Sequence, residues 1–192
     1  MKKICFLVAP ILCTINVFAQ KPGYVITQSN DTIKCEVKNV FNMIWGDVPK
    51  YVIPPDTNLI KIKIKNIKEY QFTKDSTIYI AKILPDDKNP TFVKWLIRGK
   101  IDLFDYTVKD RNMDYTTWYV SKNNGPLLSI KISGLVLFSD KKGRMASLED
   151  MFGDDPAVLS TLKNANNLHF DTIASCIKTY DQDAKTSKNT AN

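Results

Sequence analysis

The chain has 192 residues, with 27 lysines and arginines against 20 aspartates and glutamates, which gives a formal net charge of +7. This length supports one domain with a substantial core. The mild positive charge is typical of a soluble protein, although it also permits attraction to acidic lipid or polysaccharide. There is no concentrated basic patch, so we expect no nucleic acid partner.

The first nineteen residues have the pattern of a secretory signal peptide. Lys2 and Lys3 provide the positive start, residues 4–17 are apolar, and Val17-Phe18-Ala19 predicts cleavage before Gln20. The apolar stretch is shorter than the about 20 residues that a spanning helix needs. We therefore expect an exported protein, periplasmic or outer-membrane-associated, that does not span the membrane once the signal is removed. Removal of 19 of the 192 residues leaves 173, with two fewer lysines.

A β-hairpin is predicted at the start of the mature chain. Tyr24–Gln28 and Thr32–Lys38 are predicted strands, and Ser29–Asp31 has the composition of a turn. In the second strand, apolar and charged residues alternate, which predicts that one set faces the core and the other faces solvent. The inward set is Ile33, Cys35 and Val37.

Residues 41–58 contain three prolines and predict a loop-rich insertion with one short strand at Tyr51–Ile53. Leu59–Lys65 then alternates isoleucine with lysine, as in a strand. An extended strand would place Lys61, Lys63 and Lys65 on one face, about 6.6 Å apart. We interpret these lysines as a candidate binding stripe. The alternative is a solvated outer face or an edge strand protected by lysine.

The longest alternating segment covers residues 91–108, with Gly99 near its middle. It follows a predicted strand pair, Ile67–Phe72 and Thr77–Leu84, with a turn at Lys74–Ser76. At roughly 3.3 Å per residue a single strand of this length would be unusually long. We therefore predict one central strand that bends or bulges at Gly99 within a curved sheet.

Two more strands are predicted at Tyr115–Ser121 and Leu127–Ser133, and helices follow. Ser147–Asp150 resembles a capping box at a helix start. Asp155 and Pro156 predict the start of a second helix, and Leu168–Tyr180 has helical spacing. The predicted fold is mainly β (α+β): a curved antiparallel sheet or partial barrel or sandwich, followed by two to three C-terminal helices. We predict a single β-rich domain over 20–180, whose helical part covers about 146–180, and a disordered tail over 181–192.

Two cysteines remain after signal removal, Cys35 and Cys176, in a compartment that permits disulfides. A bridge between them would stabilise the fold by about 4–5 kcal/mol in the chain-entropy model. The alternative is two buried free thiols. No Cys-x-x-Cys pair is present, which argues against a redox enzyme or a zinc knuckle.

Several short motifs occur in an order that resembles a family of uncharacterised exported proteins of Bacteroidota-type bacteria. The motifs are Gly23–Thr27 with Asp31–Lys34, Ile64–Phe72, Arg98–Phe104, and the closing helices from Asp154 to Tyr180. The resemblance covers most of the mature chain. It implies export, and it transfers no established activity and no functional residues. Similar proteins often have glycine where Cys35 stands, which argues against a disulfide shared by the family.

Motifs for catalysis and for cofactors are missing from the sequence. It has one histidine, His169, and no nucleophile elbow, phosphate-binding glycine loop or zinc-binding helix motif. We therefore expect no catalytic residues, no cofactor and no metal. Asp102, Asp105 and Glu149 would support a hydrolase only if they met in one cleft.

Three functions remain open. The first is a non-enzymatic binding or interaction module of the cell envelope, whose partner is an envelope protein, a glycan or a lipid. The second is a small-ligand carrier for lipid or glycan, with a β pocket lined by aromatic residues. Candidates for that lining are Trp45, Tyr79, Trp95, Tyr115, Trp118 and Tyr119. The third is a hydrolase with an unrecognised carboxylate site.

Overall fold

A computed structural model describes residues 22–42, 46–109, 114–133, 141–165 and 169–190 of the chain. The predicted signal peptide, its cleavage site and Trp45 lie outside these residues. Side chains of a few residues at element ends are likewise outside the description.

Within the described residues, ten strands form one open antiparallel sheet, and three helices follow it. This confirms the predicted mainly β fold. The strands are β1 (Gly23–Thr27), β2 (Thr32–Asn42), β3 (Gly46–Val52), β4 (Ile60–Lys61), β5 (Ile67–Gln71), β6 (Ile78–Ile83), β7 (Pro90–Ile97), β8 (Ile101–Lys109), β9 (Asp114–Lys122) and β10 (Leu128–Ser133). The helices are α1 (Lys141–Phe152), α2 (Pro156–Asn164) and α3 (Phe170–Thr190).

The strand order in the sheet is β10-β9-β8-β7-β6-β5-β1-β2-β3-β4. Strands β5 to β10 are therefore a meander of successive hairpins, and β1 joins the β2–β3–β4 group to β5. Turn residues accept the required backbone conformation: Asn30, Ser76, Asn123 and Asn124 all have positive φ angles. Asparagine enters this left-handed region more readily than most residues, so the predicted turns are found where turn chemistry placed them.

Both faces of the sheet are partly covered. The helices pack on one face of β8–β10, where Ile101, Leu103, Val120 and Ile130 meet Leu148, Phe152, Leu162, Ile173 and Ile177. A second cluster on the opposite face includes Val93, Phe104 and Tyr119. Four consecutive residues, 101–104, are consequently buried, so the first half of β8 has no solvent face.

The segment 91–108 forms a hairpin, which corrects the prediction of one long bent strand. Strand β7 ends at Ile97, β8 begins at Ile101, and the two strands pair with each other. Asp102 stabilises the turn, because its Oδ1 accepts hydrogen bonds from Gly99 N (3.1 Å) and Trp95 Nε1 (3.2 Å). Gly99 thus lies in a turn between two strands, and period-two alternation on both sides of it is equally compatible with a hairpin.

The loop-rich insertion predicted for 41–58 is also wrong over its first half. Strand β2 continues to Asn42 and pairs with β3, with Val37 opposite Tyr51 and Asn39 opposite Pro49. Pro49 lies inside β3, where its carbonyl accepts a hydrogen bond from Ile62 N. Proline lacks the backbone N–H donor but keeps the carbonyl acceptor, so it is tolerated at a strand position where only the carbonyl has to form a hydrogen bond.

Two helix boundaries differ from the predictions. Helix α1 begins at Lys141, so Ser147 lies inside the helix and does not cap its start. Asp155 does cap α2, accepting a hydrogen bond from Val158 N, and Pro156 is the first helical residue as predicted. Helix α3 continues to Thr190, so the predicted disordered tail is helical over 181–190. Asp181 anchors this continuation by accepting a hydrogen bond from Lys100 N at 2.9 Å.

None of the helices in the described part of the chain combines the length and the apolar character that crossing a membrane requires.

Candidate binding groove

Two adjoining cavities of about 460 and 320 Å³ surround the turn between β5 and β6. They share Thr77 and Lys94, and together we call them the Lys94 groove. Its wall is formed by β2, the β5–β6 turn, and the end of β7. The lining residues are Val37, Lys38, Asn39, Phe72, Lys74, Asp75, Ser76, Thr77, Ile78, Tyr79, Lys94, Trp95, Leu96 and Arg98.

Strand register explains why Lys94 lies beside aromatic rings. Lys94 pairs with Tyr79 across β6 and β7, and Tyr79 pairs with Tyr70 across β5 and β6. Directly opposite residues of an antiparallel pair share a face, so the three side chains form one row across the sheet. Tyr79 stacks on Tyr70 with ring centroids 5.2 Å apart, and Phe72 meets Tyr79 edge-on at 5.7 Å. The larger of the two cavities therefore has an aromatic wall next to a lysine.

Positive charge dominates the groove. Lys38, Lys74, Lys94 and Arg98 line it, and Asp75 is the single carboxylate among these described lining residues. Hydrogen bonds from Thr77 hold the pKa of Asp75 below its usual value, and the nearby Lys94 acts in the same direction. The Asp75 carboxylate thus already accepts a hydrogen bond within the turn that it stabilises.

Two of the cations are positioned for a further ligand. Lys94 forms no ion pair with another described residue. Arg98 places its guanidinium carbon 4.5 Å from the centre of the Trp95 ring, a cation–π arrangement that leaves its N–H donors at an exposed position. Lys38, by contrast, already pairs with Glu36 at 3.2 Å.

The predicted lysine stripe is not a strand face. Strand β4 contains only Ile60 and Lys61, and the chain turns at 64–66 before β5 begins. Lys61, Lys63 and Lys65 are all exposed, yet only Lys61 belongs to a strand. The turn intervenes because Asn66 N and Ile67 N both donate to Lys63 O.

A different row of lysines exists across the strands. Lys38 of β2 lies opposite Lys50 of β3, and Lys50 lies opposite Lys61 of β4. We call Lys38, Lys50 and Lys61 the cross-strand lysine row. Sequence reasoning missed it because the three residues belong to three strands, and no local spacing reveals their register.

Cys35 and Cys176 are both free and buried, so the structure contains no bridge between them and corresponds to the free-thiol alternative. The physical reason is position: Cys35 belongs to the cluster around Val25 and Tyr70, whereas Cys176 belongs to the helix-side cluster. Burial raises the pKa of the Cys35 thiol to about 11.

A third cavity, of about 350 Å³, lies beside Cys35 and is bordered by Lys34, Glu36 and Pro54.

The carboxylates considered for hydrolysis do not meet. Asp102 and Asp105 are three residues apart on β8 and point to opposite faces. Glu149 lies on α1 and pairs with Lys163 of α2 at 3.0 Å. His169 is exposed while Cys176 is buried. Among the residues that the structure describes, no group of three His, Cys, Asp or Glu side chains could hold a metal ion.

The aromatic residues proposed for a ligand pocket separate into two sets. Tyr79 and Trp95 line the Lys94 groove. Trp118 packs against Phe170 at the start of α3, and Tyr119 is buried in the cluster around Phe104.

Comparison with protein-family models, with curated proteins and with solved structures gives no match for this chain. Functional inference therefore depends on the groove itself. The resemblance to exported Bacteroidota-type proteins stays a prediction.

Proposed function

We propose that this protein is an exported, non-enzymatic binding module of the cell envelope, and that the Lys94 groove holds an acidic glycan. The observation that carries the proposal is the lining: Lys38, Lys74 and Lys94 line the larger cavity beside Phe72 and Tyr79, with Asp75 as the carboxylate among those residues, and Arg98 lines the adjoining cavity beside Trp95. Cations recognise carboxylate or sulfate groups through charge-assisted hydrogen bonds. Aromatic side chains supply apolar contact for the rings that carry those groups.

The size of the groove is compatible with a small ligand or a few linked rings. Its two parts measure about 460 and 320 Å³, and ligand pockets commonly fall in the range of roughly 300–1,000 Å³. The same volumes favour the second candidate, a small-ligand carrier. A lipid carrier would need a mainly apolar interior, whereas this lining contains four cations, Lys38, Lys74, Lys94 and Arg98.

Titration calorimetry with an oligogalacturonate, an acidic oligosaccharide, tests the proposal, with a neutral oligosaccharide of equal length as the comparison ligand. Lys94→Gln is expected to weaken binding of the acidic ligand about tenfold, since a hydrogen bond to a charged group contributes about 1.5–3 kcal/mol. Lys74→Gln should act in the same direction, and raised salt should weaken binding to the wild-type protein.

Lys88→Gln is the matched control, because Lys88 is exposed in the loop between β6 and β7 and does not line the groove. Its affinity should equal that of the wild-type protein. Equal affinity for acidic and neutral oligosaccharides, or an affinity that Lys94→Gln leaves unchanged, would contradict the proposed role of the groove. A preference for single-chain lipid over both sugars would favour the carrier.

A further inference from the structure

Beyond Val37, one edge of β2 has no strand beside it in the described part of the chain. Strand β1 begins at Gly23, which lies opposite Cys35. The next place along this edge is taken by Thr73, whose N–H donates to Val37 O at 3.2 Å and whose Oγ1 accepts from Val37 N at 2.9 Å. Asn39 is the following residue of β2 on this edge, and no described residue pairs with it there.

The backbone of Asn39 points to this open edge and away from β3. In an antiparallel pair, the N–H and C=O groups of successive residues point to alternate sides of the strand, so Asn39 shares the direction of Val37. Its partner on β3 agrees with this direction. Pro49 lies opposite Asn39 and has no N–H to donate, and its carbonyl accepts from Ile62 on the far side of β3. One N–H and one C=O of Asn39 are therefore left for a ligand.

The open edge borders the Lys94 groove. Val37 and Asn39 both line its larger cavity, of about 460 Å³, together with Lys74 and Lys94. Val37 and Asn39 are two residues apart, so their side chains lie on the same face of β2, and Asn39 is exposed where Val37 is buried. A ligand in this cavity thus meets cations and, about 7 Å along β2 from Val37, a backbone donor and a backbone acceptor.

The lysines and the backbone of Asn39 recognise different parts of a sugar. A lysine ammonium only donates hydrogen bonds, so it matches a carboxylate, which only accepts them. Asn39 donates through its N–H and accepts through its C=O, which matches two neighbouring hydroxyls, because a hydroxyl does both. A sulfate or acetyl ester at those positions has no O–H, and it would leave the Asn39 carbonyl facing another acceptor.

We propose that the Lys94 groove selects a uronic acid with free ring hydroxyls, and that the Asn39 backbone binds two neighbouring hydroxyls of the ring whose carboxylate Lys94 holds. This selection rests on the proposed glycan function of the groove and names the class of sugar. Pairing of β2 with β3 already orders the edge, so its groups bind without a loss of backbone freedom. Among the described lining residues only Asn39 offers an unpaired strand edge, whereas an added peptide strand forms several successive pairs. The length of the edge therefore fits one sugar ring better than a peptide.

Titration calorimetry with two ligands of equal charge tests this selection. One is an oligogalacturonate with free hydroxyls, and the other is the same oligomer with its ring hydroxyls acetylated and its carboxylates intact. The wild-type protein should bind the acetylated oligomer at least about tenfold more weakly, since one donor contact and one acceptor contact are lost. Equal affinity for the two oligomers would overturn the proposal, and this measurement requires no variant.

Asn39→Pro removes the N–H of the open edge. Pairing with β3 should persist, because this N–H does not face β3 and proline is tolerated at a strand edge. The variant should bind the free oligomer about fivefold to tenfold more weakly and the acetylated oligomer with unchanged affinity. Asn39→Ala keeps the backbone and should remain within about threefold of the wild-type affinity.

Phe41→Pro is the matched control. Phe41 is the next residue of β2 on the same edge, and it does not line the groove. Its N–H is therefore removed without a contact to the ligand, and the affinities for both oligomers should equal those of the wild-type protein.

The outcomes separate this selection from the function on which it rests. If Lys94→Gln weakens binding of both oligomers and Asn39→Pro weakens neither, the groove binds an acidic glycan and the role of Asn39 is refuted. An equal loss for both oligomers in Asn39→Pro would give Asn39 a structural role and refute the selection as well. If the oligogalacturonate binds no more tightly than the neutral oligosaccharide, the glycan function fails and the selection with it. A short acidic peptide that binds more tightly than the oligogalacturonate, and whose binding both proline variants abolish, would assign the edge to strand addition and overturn the proposal.

Discussion

Asp102 is a buried carboxylate of β8 that accepts two hydrogen bonds. Its side chain belongs to a residue that is 3% exposed, and both of its hydrogen bonds go to Oδ1, from Gly99 N and Trp95 Nε1. Burial raises the pKa of Asp102, and the hydrogen bonds together with Lys82 and Arg98 lower it without cancelling that effect. An asparagine in the same rotamer keeps the accepting oxygen and carries no charge.

Two substitutions separate the acceptor from the charge. Asp102→Ala removes the acceptor and leaves two donors without it, so we expect a loss of about 2 kcal/mol in the free energy of unfolding at pH 7.5. Asp102→Asn retains the acceptor and avoids burying a charge, so we expect a protein at least as stable as the wild type, by up to about 1 kcal/mol.

The sign of the pH dependence follows from the raised pKa. In the unfolded chain the Asp102 pKa is about 3.9, below its value in the folded protein. Between these two values the folded state binds more protons than the unfolded state, so this group makes the wild-type protein more stable as the pH falls. Asparagine does not titrate. The difference in free energy of unfolding by which Asp102→Asn exceeds the wild-type protein should therefore shrink as the pH falls from 7.5 towards 4.

Urea denaturation of the wild-type protein and both variants at pH 7.5, 6 and 4 provides the measurement, with equal m values as the condition for comparing free energies. If Asp102→Asn at pH 7.5 is as unstable as Asp102→Ala, the carboxylate charge itself stabilises the hairpin through Lys82 and Arg98, and the reasoning from burial is refuted.

Two further predictions concern contacts of the helices with the sheet. A Cβ added at Gly99 would overlap the Asp181 carboxylate, so Gly99→Ala should lower the free energy of unfolding by about 1 kcal/mol, because it displaces that acceptor from Lys100 N. A double-mutant cycle with Asp181→Ala should show that the two substitutions are coupled. Additive effects of the two substitutions would exclude this contact. Lys122→Met should lower thermal stability by the equivalent of about 2 kcal/mol, because Lys122 donates to the Met151 carbonyl and to Asp154 at 2.8 and 2.7 Å. Lys163→Met, which breaks only an exposed ion pair, should change it by less than about 0.5 kcal/mol.

Local chemistry alone determined most of the secondary structure. Alternation with period two identified the strands of the first hairpin and of β5, β6, β9 and β10, and the side-chain cap at Asp155 with Pro156 located the start of α2. These features depend on neighbouring residues only, which is why the sequence predicts them. Helix α1 is the exception, because it begins at Lys141, six residues before the Ser147–Asp150 motif from which its start was predicted.

Only the tertiary structure decided where alternating segments fold back. The alternation over residues 91–108 is the same whether Gly99 lies in a bent strand or in a turn, since side chains alternate in both cases. Pairing between β7 and β8, together with the Asp102 hydrogen bonds, selects the hairpin. The tail after Tyr180 is helical for a similar reason: Asp181 finds its hydrogen-bond partner 81 residues earlier in the chain.

The candidate binding sites likewise depend partly on the local sequence and partly on the tertiary structure. Composition and spacing identified individual residues, among them Tyr79, Trp95 and Lys61, as candidates for binding. The Lys94 groove and the cross-strand lysine row exist because strand register places Lys94 beside Tyr79, and Lys50 between Lys38 and Lys61. A shift of one residue in any of these pairings would turn the side chains to the other face. Register is set by the packing of the whole sheet, and for that reason the local sequence determined which residues were available and the tertiary structure determined which of them meet.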